Sequence, residues 1–154
     1  MGEVVSIHVV RSRGGTAEAV DRVMVQTNYG LEGDWRSRRN GAGQVTLIEA
    51  EALAEVERLM GYAVPSGASR RQIVVHGIRL ADLLGQRIHV GAVHLFVEDR
   101  CDPCKRMEAT IGVGARRAMA GRGGVRCLVL QGGELCLGDT VRAEPFAEPT
   151  PRPV

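Results

Sequence analysis

The pattern of apolar and polar positions predicts short β-strands along most of the chain. Segment 21–27 places Val23 and Val25 on one face, as in a strand with one buried side. Other short segments are rich in β-branched residues and are bounded by glycine-containing turns. The predicted strands are 4–10, 21–27, 44–48, 72–76, 87–90, 93–98, 125–130, 134–137 and 140–143.

Helical periodicity is clear in one segment only. In 49–60, Leu53, Val56 and Met60 fall on one helical face, and Gly61 supplies a stop of the kind that ends many helices. Segment 79–84 reads as a short turn or helix. Many short strands with few helical pieces predict a mainly β fold, a barrel with one long helix and one or two short helices.

Composition bounds the class of protein. The chain has 154 residues, which predicts a single domain over 1–144, followed by a flexible tail at 145–154 that holds four of the six prolines. The net charge of +2 argues against a nucleic-acid partner, and the chain lacks the long apolar run of a membrane helix. The first residues do not resemble a secretory signal, so we expect a cytoplasmic protein with four reduced cysteines.

A cysteine pair set among cations is the sharpest chemical signal. Cys101 and Cys104 lie in a CxxC spacing beside Arg100, Lys105 and Arg106. Neighbouring cations favour a thiolate, which makes Cys104 the candidate reactive group. The spacing alone also fits half of a zinc site, a dithiol redox pair or two packed thiols.

Three weaker signals involve glycines and charges. A glycine turn presents an acid and a cation, two arginines precede a strand, and a glycine-rich turn follows a further arginine; these can hold an anion. Each is also an ordinary solvated turn or strand end. The residues are Gly33, Asp34, Arg36, Arg70, Arg71, Arg122, Gly123 and Gly124. The histidines lack standard metal-ligand spacings, so we expect ordinary strand residues.

The order of these motifs resembles that of a known family. It runs GLEGD at 30–34, QVTLIE at 44–49, RRQIVVHGI at 70–78, CDPC at 101–104, GRGGV at 121–125 and a final glycine-rich turn at 132–139. This order is similar to that of the MOSC domain, found at the C-terminus of molybdenum cofactor sulfurases and as stand-alone bacterial proteins. The resemblance covers roughly 4–144 and implies a β-barrel with few helices.

The resemblance also implies a cofactor site. Cys104 matches the family's invariant cysteine, a ligand to molybdenum or a carrier of transferable sulfur, and Cys101 is a possible redox partner. The implied cofactor is molybdopterin-bound molybdenum, whose phosphate would be held by Arg36, Arg70, Arg71, Lys105, Arg106 and Arg122 with the glycine turns. Two positions depart from the family pattern. Arg36 lies near the position where the family commonly has a histidine, and Gln72 lies where the family commonly has an asparagine.

Three functions follow from this resemblance. The first is a small oxidoreductase acting on N-hydroxylated or similar small-molecule substrates. The alternatives are a sulfur carrier with a persulfide on Cys104 and a non-catalytic module that stores the cofactor. Electrons or sulfur would come from a separate donor protein. Lys105, the only lysine, is a poor candidate for a Schiff base, so no pyridoxal phosphate is expected.

Overall fold

Seven strands close into a barrel in the computed structural model, which describes residues 1–144. The ring runs β1, β11, β7, β8, β9, β5, β6 and back to β1. Strand β2 extends one edge of β1, and β10, β3 and β4 form a separate three-stranded sheet. The strands are β1 (Gly2–Val10), β2 (Ala17–Val20), β3 (Arg22–Gln26), β4 (Gly30–Leu31), β5 (Val45–Glu49), β6 (Ile73–His76), β7 (Arg87–Val90), β8 (Val93–Arg100), β9 (Val125–Gln131), β10 (Gly133–Cys136) and β11 (Thr140–Ala143).

Side-chain alternation fills the barrel interior. Ile88 and Val90 of β7 are fully buried, whereas Arg87 and His89, which alternate with them along the strand, face outward. The separate sheet adds Val25 and Leu135 to the same core cluster. This core therefore joins the ring and the small sheet into one body.

Three helices cover one outer side of the barrel. They are α1 (Ala50–Met60), α2 (Lys105–Ile111) and α3 (Ala115–Ala118). Their apolar faces pack on the outward side chains Ile48 and Val74 and form a second core. Strands β5 and β6 are parallel, and parallel neighbours need a crossover connection between them. Helix α1 forms part of that crossover. At its end Gly61 adopts φ 79° and donates its N–H to the Glu57 carbonyl, as predicted.

The structure confirms the mainly β barrel with one long and two short helices. Strands β2 and β4 were not predicted: β2 has no fully buried residue, and β4 spans only two residues within the predicted turn. Helices α2 and α3 were not located either, because each is too short to show a full apolar stripe. No helix within 1–144 is long and apolar enough to cross a bilayer. The predicted tail at 145–154 lies outside the described residues.

Candidate functional site

The cysteine pair lies where β8 leaves the barrel and α2 begins. The Cys101 N–H donates to the Gly124 carbonyl at 2.8 Å, which holds the loop against the 121–124 turn. Cys104 is the residue that precedes α2, and its carbonyl accepts the Glu108 N–H. Both thiols are free, but Cys104 is exposed and Cys101 is partly buried. Two cysteines three residues apart therefore occupy different environments.

Arg71 fixes the loop that carries the two cysteines. Only 5% of this residue is exposed. Its Nε donates to the Gly123 carbonyl at 2.7 Å, and its Nη2 donates to the carbonyls of Asp102 at 2.9 Å and Cys101 at 3.4 Å. Three carbonyls of two separate segments thus share one buried guanidinium, which gives Arg71 a positioning role.

The glycines of the 121–124 turn allow a close approach of backbones. A Cβ on Gly123 would overlap the Cys101 carbonyl oxygen, and a Cβ on Gly124 would overlap the Leu47 carbonyl oxygen of β5. Gly124 also has φ 89°, a conformation that favours glycine. Packing explains both glycines, and their predicted role in holding an anion stays a prediction.

A buried carboxylate organises the other side of the site. The Asp34 side chain is fully buried and accepts hydrogen bonds from Arg36 Nε and Nη2 at 2.9 and 2.8 Å. It also accepts the backbone N–H groups of Arg36 and Val10. Burial alone would raise the pKa of this carboxyl, but the hydrogen bonds from Arg36 and Gln72 outweigh burial and lower it. Asp34 therefore remains ionised and orients Arg36.

The two departures from the family pattern meet at this carboxylate. Arg36 pairs with Asp34 in bidentate fashion, and Gln72 donates a side-chain hydrogen bond to it. Gln72 is 2% exposed and also exchanges hydrogen bonds with Thr46 of β5. Sequence analysis noted Gln72 only as a departure from the family pattern and did not place it in the site; a long polar side chain directly before the buried residues Ile73–Val75 was the available signal.

Arg70 is linked to this carboxylate through Arg36. Its backbone has φ 62°, and its carbonyl accepts a hydrogen bond from Arg36 Nη1 at 2.7 Å. Its guanidinium donates to the Gly15 carbonyl at 3.1 Å. Burial lowers the pKa of Arg70, and the charges of Arg36 and Arg106 lower it further, while Cys104 and Asp34 act in the opposite sense. Arg36, Arg106 and the exposed Cys104 thiol thus all lie within electrostatic reach of Arg70.

Cys101 faces a different pocket. Its neighbours there include Glu49, Leu80 and the 121–124 turn. Burial raises the pKa of the Cys101 thiol, although Arg71 and Arg126 oppose this effect. The protonated thiol is a poor nucleophile and metal ligand.

The remaining predicted residues divide between the two sides. Arg122 lines the Cys101 pocket and donates to the Ala118 carbonyl at 3.1 Å. Lys105 is exposed in the first turn of α2, beside Cys104 in the chain. Gly33 has φ 81° and lies against the Arg11 guanidinium. The predicted arginines therefore do not all converge on one pocket.

Comparisons with known proteins identify the class. The MOSC domain model matches residues 31–142, and the chain therefore belongs to the MOSC domain family. This family is associated with molybdenum cofactor binding. No curated protein sequence gives a significant match.

Solved structures confirm the fold. YuaD protein from Bacillus subtilis is similar with a TM-score of 0.72 at 17% identity, over 92% of this chain and 94% of that one. YiiM from Geobacillus stearothermophilus gives a TM-score of 0.74 at 18% identity, over 93% and 75% of the two chains. YiiM from Escherichia coli gives 0.70 at 16% identity, over 96% and 73%. At these identities the likeness concerns the fold alone.

Proposed function

We propose that this chain binds the molybdenum cofactor through Cys104 and acts as a small oxidoreductase on N-hydroxylated or similar substrates. One observation carries the proposal: the exposed Cys104 thiol lies within electrostatic reach of Arg70, as do the charges of Arg36 and Arg106. A soft thiolate suits a metal already held by sulfur ligands. Family membership supplies the cofactor class.

The donor set fits the cofactor. Neighbouring guanidinium groups repel one another, and a bound phosphate would relieve that repulsion. Arg70, Arg106 and Lys105 would hold the phosphate of the pterin, while Asp34 fixes Arg36 in place beside them. Arg71 would keep the Cys101–Cys104 loop in shape without touching the cofactor.

The proposed reaction is a two-electron reduction. When bound, the molybdenum supplies oxygen-atom exchange with the substrate. An N-hydroxylated compound would take up two electrons and two protons, its N–O bond would break, and amine and water would leave. The electrons would come from a separate donor protein. Free thiols agree with a reducing compartment, so we propose a cytoplasmic location.

Metal content tests the cofactor part of the proposal. Wild type, Cys104→Ser and Cys101→Ser would be purified under reducing conditions from a host that makes the cofactor, and molybdenum and pterin would be measured in each. We expect near-stoichiometric cofactor in wild type and Cys101→Ser, and loss of molybdenum in Cys104→Ser. Equal molybdenum in all three proteins would contradict the assignment of Cys104 as ligand.

Turnover tests the reaction itself. Loaded wild type would be assayed with an N-hydroxylated amidine and a chemical electron donor, with Cys104→Ser as the control. Amidine formation that depends on Cys104 supports the oxidoreductase. Stoichiometric cofactor without turnover on any N-hydroxylated substrate would instead favour a module that stores or hands on the cofactor.

The exposure of Cys104 also favours a second candidate, a sulfur carrier. An exposed thiolate can attack the persulfide of a donor protein, so that the terminal sulfur moves to Cys104 and the donor thiolate leaves. Incubation with a cysteine desulfurase and cysteine, followed by mass spectrometry, separates the candidates. A persulfide on Cys104 in a protein that never acquires molybdenum would support the carrier and contradict the oxidoreductase.

A further inference from the structure

Two histidines face each other on the outside of the barrel. A two-residue connection, Gly91 and Ala92, joins β7 to β8 and places His89 directly opposite His94. The two imidazole rings are stacked, with centroids 4.0 Å apart and planes 9° from parallel. The strands that carry them belong to the closed ring, so the barrel itself holds the pair.

The hydrogen-bond pattern of the hairpin explains why the rings are so close. The Val97 N–H donates to the Gln86 carbonyl, which makes 86 and 97 a hydrogen-bonded pair. Pairs alternate along an antiparallel ladder, so His89 and His94 form a non-hydrogen-bonded pair. Side chains of such pairs lie closer together than those of their neighbours.

A carboxylate completes the group. Glu144 follows β11, the strand that pairs with β7 on its other side, and its Oε1 lies 3.2 Å from His89 Nε2. One ligand atom from each of His89, His94 and Glu144 lies within 4.8 Å of the other two. All three side chains are half-buried. Within residues 1–144 no second group of three such side chains comes this close.

We propose that His89, His94 and Glu144 bind a divalent transition-metal ion, with Zn²⁺ as the best match. Two imidazole nitrogens and one carboxylate oxygen are ligands that Zn²⁺ takes in proteins, and three protein ligands leave a fourth position for water. Ligand atoms around tetrahedral zinc are about 3.3 Å apart, so small side-chain rotations close the site. This site shares no residue with the proposed cofactor site and stands independently of it.

The charges around the pair set the affinity. Burial lowers the pKa of His94, and His89 and Arg142 lower it further while Glu144 opposes them. A neutral imidazole is the form that binds a metal. Arg142, opposite His89 on β11, adds a positive charge that disfavours a cation and that Glu144 offsets. Removal of the Arg142 charge should therefore tighten metal binding.

Imidazole NMR signals during a Zn²⁺ titration test the proposal. Zinc can also bind the free cysteines, so the ring signals of each histidine are followed in protein kept reduced. We expect the signals of His89 and His94 to shift together and to saturate at one added equivalent beyond any cysteine-bound zinc. The signals of His76, which pairs with Glu3 at 3.0 Å without a second histidine, should stay in place.

Substitutions make the test specific. His94→Gln and Glu144→Gln should each weaken Zn²⁺ binding at this site by at least about tenfold, whereas His76→Gln should leave it unchanged and Arg142→Gln should strengthen it. Circular dichroism would confirm that each variant is folded. Unmoved His89 and His94 signals at millimolar Zn²⁺, or unchanged affinity in His94→Gln, would overturn the proposal.

Discussion

Cys104 and Cys101 mark two sides of one loop that differ in how their arginines are used. On the Cys104 side, the positive charges of Arg36 and Arg106 act on Arg70 and lower its pKa further than burial does alone. On the Cys101 side, Arg71 is buried and donates to three carbonyls, so its charge serves the fold. A CxxC motif with flanking cations therefore holds one exposed thiol and one that is partly enclosed.

This difference separates binding from positioning. Arg70 and Arg71 are adjacent in sequence but lie on different sides of the loop. Arg70 lies on the Cys104 side, and Arg71 lies on the Cys101 side and positions the loop. Arg70 has a left-handed backbone, at φ 62°, where it ends a short 3₁₀ helix, Ser66–Ser69. That reversal sends the two side chains in different directions. Three substitutions test the comparison and are given from the largest expected effect to the smallest. The first two change the free energy of unfolding, and the third changes the free energy of cofactor binding.

Arg71→Leu should have the largest effect. The leucine leaves carbonyls of Gly123, Asp102 and Cys101 without their donor, so we expect the free energy of unfolding to fall by about 3 to 5 kcal/mol. Denaturant unfolding measures this change. Arg13→Leu, in an exposed loop, is the control and should shift stability by no more than about 0.5 kcal/mol. A similar small loss in Arg71→Leu would show that the loop does not depend on this guanidinium.

Asp34→Asn should come second. An asparagine keeps the shape but turns donors toward Arg36 and the Val10 N–H, so we expect a loss of about 2 to 3 kcal/mol at pH 7. The folded pKa of Asp34 is lowered, so its contribution is present above its ordinary value of 3.8 and is lost as the pH falls through the folded pKa. Unfolding measured from pH 7 to pH 2 should therefore show a smaller acid-induced loss in the variant.

The acid end of that series supplies the decisive comparison. At pH 7 the wild type should be more stable than Asp34→Asn, and the two free energies of unfolding should converge as the pH drops below the folded pKa. A constant difference across the whole range would mean that the Asp34 charge contributes nothing.

Arg70→Gln should have the smallest effect of the three. It should weaken cofactor binding and should leave the fold intact. Loss of one charge-assisted hydrogen bond to the cofactor phosphate corresponds to about 1.5 kcal/mol, or roughly tenfold weaker cofactor retention. Pterin released from the purified protein measures retention. Arg122→Gln is the matched control, because that residue lines the Cys101 pocket and its guanidinium donates to the Ala118 carbonyl. Equal losses in both variants would remove the distinction between the two sides.

The strands could be predicted because alternation is a local signal. Val23 and Val25, or Ile88 and Val90, show their buried face within five residues of sequence, and all nine predicted strands exist. Strand β2 was not predicted, because it lies on an edge where its side chains are not buried. Helix α2 was not predicted, because the burial of Met107 and Ile111 depends on a surface formed by strands that are distant in sequence.

The candidate site could be predicted only in part. Cys104, Asp34 and the arginine pair stand out by residue type, but which arginine contacts a carbonyl depends on the backbone path at Arg70. The opposed histidines follow from register, which the two-residue connection at 91–92 fixes; the linear spacing of His89 and His94 hides it. Long-range contacts are decided by the closed barrel and leave no trace in a single short segment.

The most direct test of the difference between the two cysteines is alkylation by iodoacetamide, followed by peptide mass spectrometry on native protein. At pH 7 the exposed Cys104 should react at least about ten times faster than the partly buried Cys101, whose thiol pKa is raised. In protein loaded with the molybdenum cofactor, Cys104 should become protected while Cys101 is unchanged. Equal rates for the two cysteines, or a Cys104 that stays reactive in loaded protein, would contradict the account.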